Sequence, residues 1–246
     1  MAEDDLPGAT AGTPGGAARE GVGRSIRIAA LVWRLVLLVV CAYGLYLNTG
    51  LDQGALDLQS FSYFTIQSNL LVLLAYLWVT GRTVGALGAD RRPLPVLVPW
   101  LAGIVLVAIT ITGLVYNFVL VPRDVALGTF DGGDLADLLV HTWVPLLAVG
   151  DWLLFSSKGR FRWWYAVLWL VTPAAYAVFA FIRAELGPVL TGVGSRYPYF
   201  FLDADEFGWG AVGLNVVWLL VGFLVLGLVV VLIDRMLALG LRRLRR

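Results

Sequence analysis

Thr65 and His141 are polar residues inside otherwise apolar stretches, and their types suit nucleophilic chemistry. A threonine hydroxyl attacks a carbonyl once a base removes its proton, and a neutral imidazole is a suitable base near pH 7. Thr65 lies about 5 Å and His141 about 7–8 Å below the corresponding ends of two apolar stretches, at ~1.5 Å per helical residue. Because these depths are similar, the sequence predicts that the two side chains converge.

Asp137 precedes His141 by one helical turn, so its carboxylate could orient the imidazole ring as the acid of a catalytic triad does. Structural alternatives stay open at this point. His141 could be a buried hydrogen-bond donor between helices, and Asp137 could be an interfacial residue in contact with water. Thr65 and Asn69 share one helical face with Ser68 beside it, and small polar residues commonly join membrane helices.

A nucleophile also needs hydrogen-bond donors for the negative charge that develops on the carbonyl oxygen. Polar side chains near the same ends of the apolar stretches are the candidates for oxyanion or substrate contacts. They are Gln67, Ser68, Asn69, Tyr116, Asn117 and Arg183. Several of them could equally be interfacial anchors.

The stretches that must position these residues are predicted to be membrane-spanning helices. The 246-residue chain is 59% hydrophobic and 14% charged, whereas a soluble domain carries about 25% charged residues. Six stretches reach the roughly 20 apolar residues of a membrane span. They are residues 26–47, 62–80, 94–118, 136–155, 163–183 and 209–235. The expected fold is all-α, a six-helix transmembrane bundle, with a disordered tail over 1–25 and a basic tail over 236–246.

Basic residues are distributed unevenly around these spans. Fourteen Lys and Arg residues flank one side and three flank the other. Since positive charge favours the cytoplasmic side, both termini are expected in the cytoplasm of a multi-pass membrane protein. The Arg-rich C-terminal tail is expected to hold anionic lipid of the inner leaflet. Within the first span, Arg34 is expected to pair with Asp151.

Composition argues against several other classes of protein. A single Cys, Cys41, cannot form an intramolecular disulfide or a Cys-based metal site, and a single His fits a His-based metal site poorly. A net charge of +1 with scattered basic clusters gives no basis for nucleic-acid binding. We therefore expect no metal, no cofactor and no nucleic-acid partner. Lys158 is the only lysine among 18 basic residues, a usage typical of GC-rich bacterial genomes.

Three motifs occur in order along the chain. Phe64-Thr65-Ile66-Gln67 opens the second span, and His141-Thr142 is followed by Pro145 and Asp151 in the fourth. The segment Tyr197-Pro198-Tyr199-Phe200-Phe201-Leu202-Asp203 precedes the last span. Together these motifs resemble those of the androgen-induced, FAR-type family of six-helix membrane proteins, over about residues 26–235.

The resemblance implies a function. Family members studied in animals are intramembrane hydrolases of fatty acid esters of hydroxy fatty acids, with a threonine nucleophile and a histidine partner, which match Thr65 and His141. We therefore expect a lipid-ester hydrolase in a bacterial plasma membrane, whose partner is a membrane lipid or fatty acid ester substrate. The alternative is a non-catalytic lipid-binding or transport protein with a headgroup in a polar cavity. The family assigns no role to Asp137, which rests on spacing alone.

Overall fold

The computed structural model describes residues 14–87, 94–130 and 132–243, with side chains from residue 23 onward. These residues form six long helices, numbered here in chain order. They are α1, Pro14–Asn48; α2, Phe64–Leu87; α3, Pro99–Leu127; α4, Leu135–Phe155; α5, Tyr165–Leu186; and α6, Ala204–Arg243. Short 3-10 turns lie at Leu51–Gln53, Leu58–Ser62 and Phe200–Leu202. This described part contains no strand, and an isolated β-bridge joins Leu190 to Ser195.

Each of the six helices is long and apolar enough to cross a membrane, which confirms the predicted all-α fold with six candidate spans. The helix ends differ from the prediction. Helix α1 already begins at Pro14, whereas the sequence predicts a disordered tail over 1–25; residues 1–13 lie outside the described residues. Helix α6 continues to Arg243 through most of the predicted basic tail. Extending an existing helix is much easier than starting one, so both helices run past their apolar stretches.

Helix α3 starts later than predicted. Residues 94–98 fall within the third predicted span but have no helical structure, and the helix begins at Pro99. Proline disfavours the helical conformation of the residue before it, while its fixed φ suits the first position of a helix. Pro95 and Pro99 therefore set this boundary, which hydropathy alone does not detect.

Helices α3 and α4 each contain one π-helical turn, at Tyr116–Leu120 and Leu139–Trp143. Each turn is followed by a proline within two residues, Pro122 in α3 and Pro145 in α4. A proline has no N–H to donate to the carbonyl four residues earlier, so Pro145 leaves the carbonyl of His141 without its usual helical partner. Both π turns lie beside the residues singled out by the sequence.

A buried ion pair joins α1 to α4. Arg34 Nε lies 2.8 Å from Asp151 Oδ1, and Arg34 is 0% exposed. Arg34 Nη1 also donates to Thr83 Oγ1 at 2.7 Å and to the Pro95 carbonyl at 2.9 Å. The Tyr76 hydroxyl donates to the other carboxylate oxygen of Asp151 at 3.3 Å. The predicted pairing of Arg34 with Asp151 is therefore confirmed, and its polar atoms have the additional partners that a buried pair requires.

The contacts of α1 define the direction of its neighbours. Arg34 lies in the first half of the α1 span and contacts Thr83 and Asp151, which lie late in α2 and α4. Gly44, late in α1, lies against Val140, early in α4; a Cβ at Gly44 would come within 2.8 Å of the Val140 side chain. Helix α1 is therefore antiparallel to α2 and α4. We call the end of the bundle that holds Thr65 and His141 the Thr65 end.

The segment between α5 and α6 covers the Thr65 end. Its Thr191 donates from both the backbone N–H and the hydroxyl to Gln59 Oε1, at 3.0 and 3.3 Å, which links it to the segment before α2. At its other end, Asp203 Oδ1 accepts hydrogen bonds from the backbone N–H groups of Asp205 and Glu206 and so caps α6. This segment therefore lies fixed above the first turns of α2 and α4.

Candidate functional site

Thr65 is the second residue of α2, and His141 lies in the π turn of α4. Thr65 Oγ1 and His141 Nε2 are 3.0 Å apart, within hydrogen-bond distance. Both residues are buried, with 8% and 7% of their surface exposed. The predicted convergence of these two side chains is confirmed.

The other ring nitrogen of His141 determines where the imidazole proton resides. His141 Nδ1 lies 3.1 Å from the backbone carbonyl oxygen of Asp137. A carbonyl oxygen only accepts hydrogen bonds, so the neutral ring carries its proton on Nδ1 and donates it there. Nε2 then accepts the hydroxyl proton of Thr65. This is the tautomer that a general base requires.

The carboxylate of Asp137 is the next group beyond the imidazole. Its Oδ1 lies 3.4 Å from His141 Nδ1, and its Oδ2 accepts a 3.2 Å hydrogen bond from the Tyr116 hydroxyl. The Tyr116 ring stacks on the His141 ring, with centroids 3.8 Å apart and planes 9° from parallel. The Asp137 side chain is 38% exposed, so it contacts both the imidazole and the solvent. Tyr116 thus holds the ring from its face while Asp137 holds it from its edge.

Two of the predicted oxyanion donors are positioning residues. Asn69 Nδ2 donates to the carbonyl oxygens of Thr65 at 2.8 Å and Val140 at 3.2 Å. Asn117 Nδ2 donates within α3 at 2.9 Å and to the carbonyl of His141 at 3.3 Å, the one that Pro145 leaves without a helical donor. An amide group has two N–H donors, so neither asparagine has one left for a substrate. They join the helices that carry Thr65 and His141.

Ser68 and Gln67 are engaged away from the Thr65 hydroxyl. Ser68 Oγ donates to the Thr65 carbonyl at 3.1 Å and lies 2.7 Å from Thr112 Oγ1 on α3. Gln67 Nε2 donates to the Phe61 carbonyl at 3.0 Å. These two residues therefore hold the start of α2 in place, which is the packing role that the sequence left open for small polar residues.

Arg183 lies near the end of α5 rather than against the threonine and histidine pair. Its Nε donates to Ser62 Oγ at 3.1 Å, and its Nη1 donates to the backbone carbonyl of Arg196 at 2.8 Å. These contacts join α5 to the turn before α2 and to the covering segment. Arg183 therefore supports the walls of the site.

Tyr199 is a site residue that reasoning from residue types did not select. The Thr65 hydroxyl and the backbone N–H groups of Thr65 and Phe64, the first two residues of α2, act to lower the pKa of the Tyr199 hydroxyl. Burial raises the pKa of Tyr199 to about 12, against the opposing effect of these donors. Tyr199 therefore remains a neutral hydrogen-bond donor beside Thr65. It lies in the third motif quoted above, but no spacing rule relates a residue in this covering segment to Thr65.

Two cavities of opposite character meet at Thr65. The first is a polar cavity of about 690 Å³ between the covering segment and the starts of α2 and α4. The second is a narrow apolar slot of about 60 Å³ between α2, α3, α5 and α6. Both are lined by Thr65, Tyr116, Leu120 and Tyr199. The Thr65 hydroxyl thus lies where a polar compartment changes to an apolar one.

Carboxylates dominate the charged lining of the polar cavity. The charged groups among its described lining residues are Asp57, Asp124, Asp137, Asp203, Glu206 and Arg123. Arg123 Nη1 lies 3.5 Å from the Asp124 carboxylate, and its guanidinium stacks over the Phe200 ring at 4.3 Å. Within the described part of the chain, no three His, Cys, Asp or Glu side chains are grouped as metal ligands would be.

Fold and site together define an all-α protein whose described residues include six helices long and apolar enough to cross a membrane, with a buried threonine and histidine pair at one end of the bundle. No family model matches this chain, and no curated protein or solved structure matches it either.

Proposed function

We propose that this protein is an intramembrane hydrolase of lipid esters. The observation that carries the proposal is the contact between Thr65 Oγ1 and His141 Nε2, at 3.0 Å, in the tautomer that makes Nε2 a proton acceptor. The position of this pair between a polar cavity and an apolar slot supports a substrate with both a polar and an apolar part.

The proposed reaction begins with attack of Thr65 Oγ on the ester carbonyl carbon while His141 Nε2 takes the hydroxyl proton. The resulting tetrahedral intermediate breaks its bond to the alcohol oxygen, which receives the proton from Nε2 and leaves as an alcohol. Water then attacks the acyl-threonine, again giving a proton to Nε2. Collapse of this second intermediate returns the proton to Thr65 Oγ and releases the fatty acid.

The negative charge on the carbonyl oxygen needs donors that are in place before the reaction. We assign this role to the Tyr199 hydroxyl, which lies beside the Thr65 hydroxyl and stays protonated because its pKa is raised. Of the candidates predicted from the sequence, Asn69, Asn117 and Ser68 donate to partners in the protein.

The finer assignments rest on the sequence. The resemblance supports a fatty acid ester of a hydroxy fatty acid as the substrate type and requires no cofactor. The distribution of basic residues supports cytoplasmic termini, anionic inner-leaflet lipid around the basic tail and a Thr65 end in the outer leaflet. Arginine usage supports a bacterial plasma membrane.

A non-catalytic lipid-binding or transport protein is the second candidate. The same pair of adjoining cavities supports it, because a polar and an apolar compartment also suit the headgroup and chain of a lipid that is only held. This candidate gives no chemical role to the 3.0 Å contact between Thr65 Oγ1 and His141 Nε2, so we rank it second.

Labelling with a fluorophosphonate probe separates these candidates, since such a probe reacts with an activated hydroxyl. We expect the wild-type protein to be labelled on Thr65 and the Thr65→Ala variant not to be labelled. Thr110→Ala is the matched control, because the Thr110 hydroxyl donates to a backbone carbonyl of its own helix at 2.7 Å. Full hydrolysis of a lipid ester by Thr65→Ala would overturn the enzyme proposal and favour the lipid-binding one.

A further inference from the structure

An apolar groove on the outside of the bundle continues the slot at Thr65. The groove lies between α3 and α6 and has a volume of about 540 Å³. It shares five lining residues with the slot, from both helices and from the covering segment. They are Ile111, Val115, Phe201, Leu219 and Phe223. An apolar path therefore leads from the Thr65 hydroxyl to the lateral surface of the protein.

This lateral surface is apolar and exposed. Phe118 and Trp218 line the groove and are 74% and 66% exposed. Asn215, which also lines the groove, donates its side-chain amide to the Phe201 carbonyl at 3.1 Å. For helices that cross a membrane, such a face lies against acyl chains rather than water.

The length of this path matches an acyl chain. The slot and groove follow α6 from Val216 to Leu226, which spans about 15 Å at ~1.5 Å per residue. One leaflet of a bilayer has a hydrocarbon depth of about 15 Å, half of the roughly 30 Å core. The apolar path along α6 is therefore about as long as a lipid chain that extends from the depth of Thr65 to the middle of the bilayer.

Resting on the proposed hydrolase function, we infer that the acyl chain of the ester enters sideways from the membrane between α3 and α6. The chain occupies the groove and slot while the ester carbonyl lies at Thr65 and the alcohol part lies in the polar cavity. The substrate class is therefore a long-chain acyl ester taken from the membrane, and the lateral groove determines chain-length specificity.

Gly222 is a position at which a substitution can block this groove. It lines the groove, and a Cβ at this position would meet no atom within 4 Å. Gly222→Leu therefore fills the groove without disturbing the packing of α6. Gly213 on the same helix also has open space around its Cβ, but it is not part of either apolar lining. Gly213→Leu is the matched control.

Chain-length dependence tests the inference in the active protein. For a long-chain ester, we expect Gly222→Leu to lower kcat/KM by about tenfold or more, the effect of excluding about two methylenes from the groove. An ester of the same alcohol with a short acyl chain should be hydrolysed at the wild-type rate, and Gly213→Leu should resemble the wild type with both esters. Equal losses for the long and short esters, or no loss with the long one, would overturn the lateral route.

Photo-crosslinking tests the same inference without turnover. The probe is a long-chain ether lipid carrying a diazirine in its chain, bound to the Thr65→Ala protein in liposomes. We expect crosslinks on α6 between Val216 and Leu226 and on the facing part of α3, with a loss of several-fold after adding Gly222→Leu but not Gly213→Leu. Crosslinks located elsewhere would overturn the inference even if hydrolysis is established. Crosslinks in the groove of a protein without Thr65-dependent hydrolysis would overturn only the enzyme proposal.

Discussion

The proton of His141 is held on Nδ1 by a backbone carbonyl as well as by a carboxylate. The carbonyl oxygen of Asp137 lies at 3.1 Å and its carboxylate at 3.4 Å from Nδ1. In a triad whose acid alone holds the imidazole, replacing that acid by an amide reverses the tautomer and costs about 10⁴ in rate. Here the backbone acceptor remains after any substitution at position 137.

Asp137→Asn should therefore lower the kcat of lipid-ester hydrolysis by only about tenfold, far less than the roughly 10⁴ of a triad acid. This tenfold decrease comes from removing the negative charge that stabilises the imidazolium and from changing the acceptor of the 3.2 Å Tyr116 hydrogen bond. Asp134→Asn is the control, since Asp134 is exposed and caps α4 through the backbone N–H of Asp137. A loss of thousands of fold in steady-state kinetics would show that the carboxylate alone sets the tautomer.

Tyr199→Phe removes the proposed oxyanion donor while keeping the ring. We expect a loss of about 10² in kcat with little change in KM, the size found when one oxyanion-hole donor is removed. Tyr197→Phe, in the same segment, should keep wild-type kinetics. Unchanged turnover in Tyr199→Phe would remove Tyr199 from the mechanism.

The pH dependence of the wild-type rate tests the same residue. Burial raises the pKa of Tyr199 to about 12 by disfavouring the phenolate, so the donating, protonated form persists at alkaline pH. The hydroxyl of an ordinary tyrosine is half deprotonated near pH 10. We therefore expect kcat to stay level through pH 10 instead of falling there. A fall centred near pH 10 that is absent in Tyr199→Phe would contradict this.

At the level of the helices, Pro145 and the π turn of α4 set the orientation of His141. The missing N–H of Pro145 leaves the His141 carbonyl to accept from Asn117 on α3 at 3.3 Å. The carbonyl that would otherwise close a regular helical turn instead joins two helices.

Pro145→Ala should lower turnover by about tenfold to a hundredfold, since a displacement near 1 Å of a catalytic group has effects of this size. The restored N–H can bond to the His141 carbonyl and convert the π turn to a regular helix, at the expense of the Asn117 contact. Thermal unfolding in detergent should show that the melting temperature is kept or raised. Wild-type activity in this variant would show that the π turn does not position His141.

The Arg34 and Asp151 pair joins α1 to α4 and can be tested by a double-mutant cycle. Arg34→Leu should destabilise the protein by about 3–5 kcal/mol, because it leaves Asp151 charged and buried without its partner. Arg34→Leu combined with Asp151→Leu should cost less than Arg34→Leu alone. Additive losses in detergent melting experiments would show that the two residues do not interact energetically.

Sequence reasoning predicted the six candidate spans from hydropathy and the convergence of Thr65 and His141 from the helical rise along two of them. The π turns were missed, since one extra residue in a turn leaves the apolar content of a span unchanged. Tyr199 was missed because its distance from Thr65 depends on how the covering segment folds back. Residue type also does not reveal which N–H groups the protein itself uses, as the contacts of Asn69 and Asn117 with backbone carbonyls illustrate.

On the scale of the whole molecule, most charged side chains among the described lining residues of the polar cavity are acidic. Five carboxylates and one guanidinium are found among its described lining residues, and that guanidinium lies 3.5 Å from Asp124. A free carboxylate on the alcohol part of a substrate would enter a region of negative potential. The hydroxy fatty acid type implied by the family resemblance carries such a carboxylate.

We therefore expect a neutral ester, such as the methyl-capped form of the same hydroxy fatty acid ester, to be hydrolysed several-fold faster than the free acid at low salt. The difference should shrink as ionic strength rises, since the Debye length falls from about 30 Å at 0.01 M to about 8 Å at 0.15 M. Arg123→Gln should slow the free acid further and leave the neutral ester unchanged. A faster free acid in wild type, lost in Arg123→Gln, would identify Arg123 as a carboxylate anchor.

The meeting of a polar cavity and an apolar slot at Thr65 has a consequence for the products. Under the proposed hydrolysis, the alcohol part is released into the polar cavity and the acyl part into the apolar slot. The two products then leave Thr65 by different routes, and neither blocks the exit of the other.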